Sequence, residues 1–191
     1  MFKAGETVPG TMFAVIGLDD EVVENVCKEL TNIGNGNVVV AANYNSPGQL
    51  VVSGSADYLR QSVDAFKQAG AKIVKELIVS GAFHSPLMLP AKKELENAIN
   101  NASFDDAKVP VYSNVYAKPL TNSDELKEAL ISQLTSPVRW TQSIIEMNNN
   151  GINNFIEVGA GNVLQGLVKR TLKNVTFSGF DKFADIEKIL F

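Results

Sequence analysis

Histidine and cysteine are almost missing from this chain: each occurs once in 191 residues, as His84 and Cys27. A single cysteine excludes an internal disulfide and suits a reducing compartment. A single histidine, with no His or Cys partner beside it, excludes a multi-histidine metal site, and the sequence calls for no metal and no cofactor. No run of about 18 apolar residues is present, which argues against a membrane span. The opening MFKAGETVPG lacks the apolar core of a secretory signal. Basic residues are not in excess either. A net charge of −4 argues against the clustered Lys and Arg that non-specific nucleic-acid binding needs. These absences describe a cytoplasmic protein with neither nucleic acid nor membrane as a partner.

What is present is enough for a substantial core: 45% of residues are hydrophobic and 20% charged, ordinary values for a globular chain. TMFAVIG, residues 11 to 17, predicts a strand. A helix follows, with Val22, Val26, Leu30 and Ile33 at helical spacing, Val23 and Cys27 beside them, and Asp19, Asp20 and Glu21 at its positive end. NVVVAANYN and QLVVSGS flank Ser46-Pro47-Gly48 and predict a hairpin. A second helix carries Leu59, Val63 and Phe66 on one face, and KIVKELIV predicts a fourth strand over 72–79. The order βαββαβ over 11–79 is that of a ferredoxin-like small subdomain.

From residue 80 onwards the pattern changes. A helix opening near Pro90 carries Leu95 and Ile99; VPVYSNV predicts a strand. Ser123-Asp124-Glu125 starts a helix with Leu126, Leu130 and Leu134 inward, and Ser136-Pro137 starts another with Ile144 and Met147. NFIEVG and VTFSGF predict strands on either side of a helix over 161–173, and a last helix is expected over 181–190. Alternating strands and helices imply parallel α/β architecture, although three strands make a meagre buried sheet.

Chemistry has few candidates. His84, in SGAFHSPLM, is either a turn residue or a general base, and a base requires a nucleophile to deprotonate. The nucleophile elbow G-x-S-x-G occurs nowhere, and Cys27 falls on the inner face of a helix. VGAGNVL, 158–164, is either an anion-binding turn or a tight strand-to-helix connection, with the second reading favoured. Lys169, Arg170 and Lys173 could receive an acidic partner, but complementing a helix C-terminus explains them as well.

MFAVIGL, NYNSPGQLVVSG, GAFHSPLM, PVYSNV, QLTSPVRW and EVGAGNVLQGLVKR occur here in one order. Together they resemble the C-terminal part of malonyl-CoA:acyl carrier protein transacylases and related acyltransferase domains, over roughly residues 10 to 180. Ala160 replaces the proline of the turn usually written GPG. The resemblance implies a ferredoxin-like subdomain at 11–79, and an α/β-hydrolase-like large subdomain of which 80–191 is the C-terminal part. It implies transfer of a malonyl group from malonyl-CoA to the phosphopantetheine thiol of acyl carrier protein, in fatty-acid or polyketide synthesis. On this resemblance His84 is the catalytic base, the Gln133 backbone carbonyl orients it, and Phe83 favours malonyl over methylmalonyl groups. The family's GQGSQ turn, GHSLG elbow and carboxylate-binding arginine precede the small subdomain, so the nucleophile is expected from an N-terminal half in cis or in trans. Two alternatives remain: a non-catalytic binding or assembly module of the same fold, or one half of a split acyltransferase.

Overall fold

A computed structural model describes residues 8–185. Strand β1 (Gly10–Ile16) pairs antiparallel with β3 (Gln49–Ser55) on one side and β4 (Ile73–Glu76) on the other. Strand β2 (Val39–Ser46) pairs antiparallel with β3, so the sheet order is β2-β3-β1-β4. Helix α1 (Asp20–Ile33) connects β1 to β2, and β2 turns into β3 at Pro47-Gly48.

Strand alternation assigns residues to the two faces. Phe13 and Val15 of β1, with Leu50 and Val52 of β3, enter the main core beside Val23, Cys27 and Leu30 of α1. Met12 and Val51, one position out of phase, point to the opposite face. A register shift between Ala41 and Asn43 breaks the alternation in β2. That bulge sends Ala42 to the second face and returns Tyr44 to the first.

The α1 stripe is rotated from expectation. Val23, Cys27 and Leu30 are buried, while Val22 is 36% and Ile33 71% exposed. The second expected helix is two pieces, α2 (Ala56–Gln61) and α3 (Val63–Gln68), interrupted at Ser62. There the Tyr58 carbonyl accepts from both the Ser62 amide and the Ser62 hydroxyl, a back-bond that bends helices. Leu59 and Phe66 still reach the core, fully buried.

Beyond β4 the chain passes through a 3₁₀ helix (Pro86–Ala91) into α4 (Lys92–Asn100). The expected strand at VPVYSNV is only three residues, β5 (Val111–Ser113). It pairs antiparallel with a strand the sequence did not signal, β6 (Lys118–Leu120), and belongs to no parallel sheet. The connection turns at Ala117, whose φ of 53° puts a non-glycine residue in the left-handed region.

Helix α5 (Ser123–Gln133) is capped by Asn122, whose Oδ1 accepts from the Asp124 and Glu125 amides. It buries Ala129, with Leu134 just beyond its end, and leaves Leu130 49% exposed, again shifting the expected stripe. Helix α6 (Trp140–Asn149) starts later than Ser136-Pro137 suggests. The intervening Val138 is engaged elsewhere: its amide donates to the Ala42 carbonyl and its carbonyl accepts from the Tyr44 amide. The bulged edge of β2 thus gains a partner from a segment far downstream. Strands β7 (Asn154–Val158) and β8 (Thr176–Phe180) form a separate parallel pair, with α7 (Val163–Thr171) between them. Of the last helix expected over 181–190, residues 186–190 lie outside the described residues. No helix among the described residues is long and apolar enough to cross a membrane.

Candidate active site

The loop after β4 lies against the second face of the four-stranded sheet. Its approach to β1 requires glycine: a Cβ on Gly10 would collide with Ala82. Phe83 then fits between two apolar clusters, Met12, Ala42, Val51 and Leu77 on the sheet side and Met88, Leu134, Ala91 and Leu95 on the helix side. Its ring is a wedge between the layers.

Next to it, His84 has φ 57°, a left-handed conformation that costs a non-glycine residue about 1 to 2 kcal/mol. Ser85 holds the bend. Its hydroxyl is fully buried, donates to the Ala82 carbonyl at 2.6 Å and accepts from the Leu87 amide at 3.2 Å, capping the 3₁₀ helix that Pro86 opens. Backbone strain at a side chain so firmly supported is a feature of functional loops.

The half-buried His84 ring meets the end of α5. Its Nδ1 is 3.1 Å from the Gln133 backbone oxygen. Gln133 is the last residue of α5, where carbonyls lack an intrahelical donor, so this oxygen is free to accept from the ring. The Gln133 side chain is also involved: Nε2 is 3.0 Å from the Ser136 carbonyl, 3.3 Å from that of Pro137 and 3.5 Å from His84 Nδ1. This second use has no local signal in the sequence, because it is an amide folded back on its own chain.

The seam that carries Ser136 and Pro137 is likewise silent in the sequence. Besides the Val138 bridge, the Thr141 hydroxyl donates to the Tyr44 carbonyl at 3.0 Å, and the Arg139 guanidinium lies over the Tyr44 ring. Tyr44 in turn donates to Glu24 Oε1 at 2.6 Å. Burial, with the Glu24 carboxylate beside it, pushes the Tyr44 hydroxyl well above its ordinary value.

Other candidates separate cleanly. Burial, aided by Glu24, pushes the Cys27 thiol up to about 12, so it stays protonated and acts as a small core residue. The turn at 158–164 needs its glycines, with Gly159 at φ 138° and Gly161 at φ 83°. Two amides at the start of α7 are already taken: Glu157 accepts from Leu164 N at 3.1 Å and Gln165 N at 3.0 Å. A resident carboxylate occupies these two amides in place of an outside anion. Of the basic residues at the end of α7, Arg170 donates to the Gln49 side chain at 2.7 Å, while Lys169 and Lys173 are exposed.

Residues 6–187 match the acyl transferase domain family. The malonyl CoA-acyl carrier protein transacylase of Bacillus subtilis (strain 168) is 44% identical over 179 residues, covering 91% of this chain and 56% of that protein. Its namesake from Staphylococcus aureus (strain MSSA476) is 37% identical over 187 residues, covering 98% and 60%. Among solved structures, a malonyl-transacylase in complex with a type II PKS acyl-carrier protein superposes with a TM-score of 0.90 at 35% identity, covering 98% of this chain and 60% of that one. An acyl carrier protein S-malonyltransferase from Vibrio cholerae gives 0.88 at 38% identity, covering 94% and 58%. The chain therefore spans between 56% and 60% of the length of these relatives.

Proposed function

The chain belongs to the acyl transferase domain family, and from that premise we propose that it supplies the histidine half of a cytoplasmic malonyl-CoA:acyl carrier protein transacylase. The observation that carries this reading is the 3.1 Å approach of His84 Nδ1 to the Gln133 backbone carbonyl. A neutral carbonyl can accept only if Nδ1 bears the hydrogen, which leaves Nε2 as the basic nitrogen. No carboxylate is needed.

The nucleophilic serine comes from a segment equivalent to the remainder of the longer relatives, joined in cis or held in trans. His84 Nε2 takes the serine proton as the oxygen attacks the malonyl thioester, and the coenzyme A thiolate leaves with that proton. In the second half, Nε2 takes the proton of the phosphopantetheine thiol, which attacks the malonyl-serine ester, and returns that proton to the serine oxygen as it leaves. Phe83, wedged beside the histidine, limits the space for a methyl branch on the acyl group. One methyl provides discrimination of about 1 to 3 kcal/mol.

The fold supports the same reading. The antiparallel order β2-β3-β1-β4, with helices between β1 and β2 and between β3 and β4, is that of a ferredoxin-like subdomain. The remainder is part of an α/β-hydrolase-like subdomain. Ile156, Val158 and Phe177 of the two-stranded sheet are exposed, and an apolar cavity of about 180 Å³ opens between α6, α7 and that sheet. The Trp140 indole N–H, buried at its margin, has no acceptor among the described residues. These surfaces fit burial against the segment that brings the serine.

The test mixes this chain with the N-terminal portion of a close relative, then adds malonyl-CoA. A malonyl-serine adduct on the N-terminal portion is expected by mass spectrometry. His84→Ala should lower kcat/KM for transfer by roughly 10²- to 10⁴-fold. A near-silent His84→Ala would sink the proposal and favour a binding or assembly module. An adduct on this chain alone would reverse the assigned roles.

A further inference from the structure

The Gln133 side chain lies within reach of three acceptors but has two hydrogens to give. The Ser136 and Pro137 carbonyls, at 3.0 and 3.3 Å from Nε2, are nearer than His84 Nδ1 at 3.5 Å. Exchanging Oε1 and Nε2 would set the amide oxygen against two carbonyl oxygens with no hydrogen between them, so the orientation is determined. Both hydrogens are then committed, and none remains for the ring. If His84 Nδ1 were unprotonated, its lone pair would face the Gln133 backbone oxygen at 3.1 Å, a second repulsive pair.

We infer that the Gln133 side chain is a positioning residue that locks His84 in the Nδ1–H tautomer. Its amide ties the end of α5 to the Ser136-Pro137 turn, which aims the terminal carbonyl at the ring. The turn is itself fixed, through Val138, to the bulged edge of β2. The lock thus links histidine geometry to the four-stranded sheet. Its importance for transfer rests on the reading above, whereas the tautomer itself does not.

Because His84 is the sole histidine, ¹⁵N-histidine labelling of the full chain gives one ring nitrogen pair, assigned without ambiguity by long-range ¹H–¹⁵N spectra above pH 8. The wild-type chain should show Nδ1 protonated and Nε2 bare. Gln133→Met preserves length and the backbone carbonyl but cannot donate; Gln133→Ala preserves only the carbonyl. Both should shift His84 towards the Nε2–H tautomer that free imidazole prefers. In the reassembled transferase both should lower kcat by about 10- to 100-fold with KM little changed. An Nε2–H tautomer in the wild-type chain overturns the inference, whatever the variants do. So does a methionine variant that keeps Nδ1–H, because packing alone would then suffice. If the tautomers behave as expected but the reassembled wild type transfers nothing, the transferase reading fails and the lock stands.

Discussion

Two sheets in this chain are treated in opposite ways. In the antiparallel one, central strand β3 buries Leu50 and Val52 against helices and Val51 against the histidine loop, so both faces are covered. In the parallel one, β7 leaves Ile156 53% and Val158 77% exposed. General experience is the reverse: antiparallel sheets tolerate an open face, and parallel sheets are buried on both. The edges differ less: Val138 makes one bridge to β2, while among the described residues β4 pairs only with β1, and β7 and β8 only with each other. The difference teaches that the histidine loop is mounted on a sheet covered on both faces, whereas α6, α7 and the parallel pair leave apolar side chains exposed.

The largest effect expected from this contrast is on stability. Phe66→Ala empties the middle of the covered core and should cost roughly 3 to 5 kcal/mol. Ile156→Ser, on the bare sheet, should change stability by about 0.5 kcal/mol or less. Urea denaturation of the chain alone measures both. Comparable losses would mean that the parallel pair is as thoroughly buried as the antiparallel sheet, and the contrast would collapse. Adding the complementary N-terminal portion sharpens the comparison, since Ile156→Ser should then weaken assembly.

The same contrast explains what can be read from the sequence. Elements in the covered region announce themselves locally: acidic residues at Asp19-Asp20, turn chemistry at Pro47-Gly48, β-branched runs between. His84 is legible because it is solitary and lies in a recognisable motif. What escapes depends on long-range contacts. Helix α6 starts at Trp140 rather than at Ser136-Pro137 because Val138, between them, bonds to Ala42 and Tyr44. The β5–β6 hairpin turns at Ala117 without a glycine, so nothing local marks it. The Gln133 amide bonds, which depend on how a helix end folds back on the following turn, have no periodic trace at all.

A smaller effect, of opposite sign in the two regions, is expected from adding one methyl group to a glycine. Gly10→Ala would drive a Cβ into Ala82, so either β1 shifts or the histidine loop lifts. Overpacking of this kind costs about 1 to 3 kcal/mol. Gly166, inside α7, has nothing among the described residues within 4 Å of an added Cβ. Gly166→Ala should therefore stabilise the chain by roughly 0.5 to 1 kcal/mol, the ordinary gain of alanine over glycine in a helix. Urea midpoints for the two variants should move in opposite directions. If both destabilise, α7 is already covered in the chain alone and the bare surface is smaller than these exposures imply.

The smallest effects concern one carboxylate in each region. Glu76, on the covered sheet, is held below the usual carboxylate range chiefly by the Thr11 hydroxyl and, against some desolvation, by Arg60. At Glu157 desolvation pushes upward, but the amides of Gln165 and Leu164 and the Gln165 side chain more than offset it, and the carboxyl again titrates low. In both cases the folded value lies below the unfolded one. The stabilising contribution is therefore complete above the unfolded carboxylate pKa of about 4.3 and is lost as pH falls through the folded value. Salt separates the two. The Glu76–Arg60 pair is open to solvent and should be screened, so about 0.5 M NaCl moves Glu76 part of the way back towards its ordinary value. Glu157 is bound by amides at the positive end of α7 and should respond less. Carbon-detected NMR titration of the two carboxyl groups, at low and high salt, reads both shifts directly. On acidification the Leu164 and Gln165 amides should also lose protection from hydrogen exchange as Glu157 protonates. A Glu157 that titrates at the ordinary value would mean that its bonds to α7 do not form in solution. The Leu164 and Gln165 amides would then be open to an outside anion, whose place the carboxylate otherwise takes.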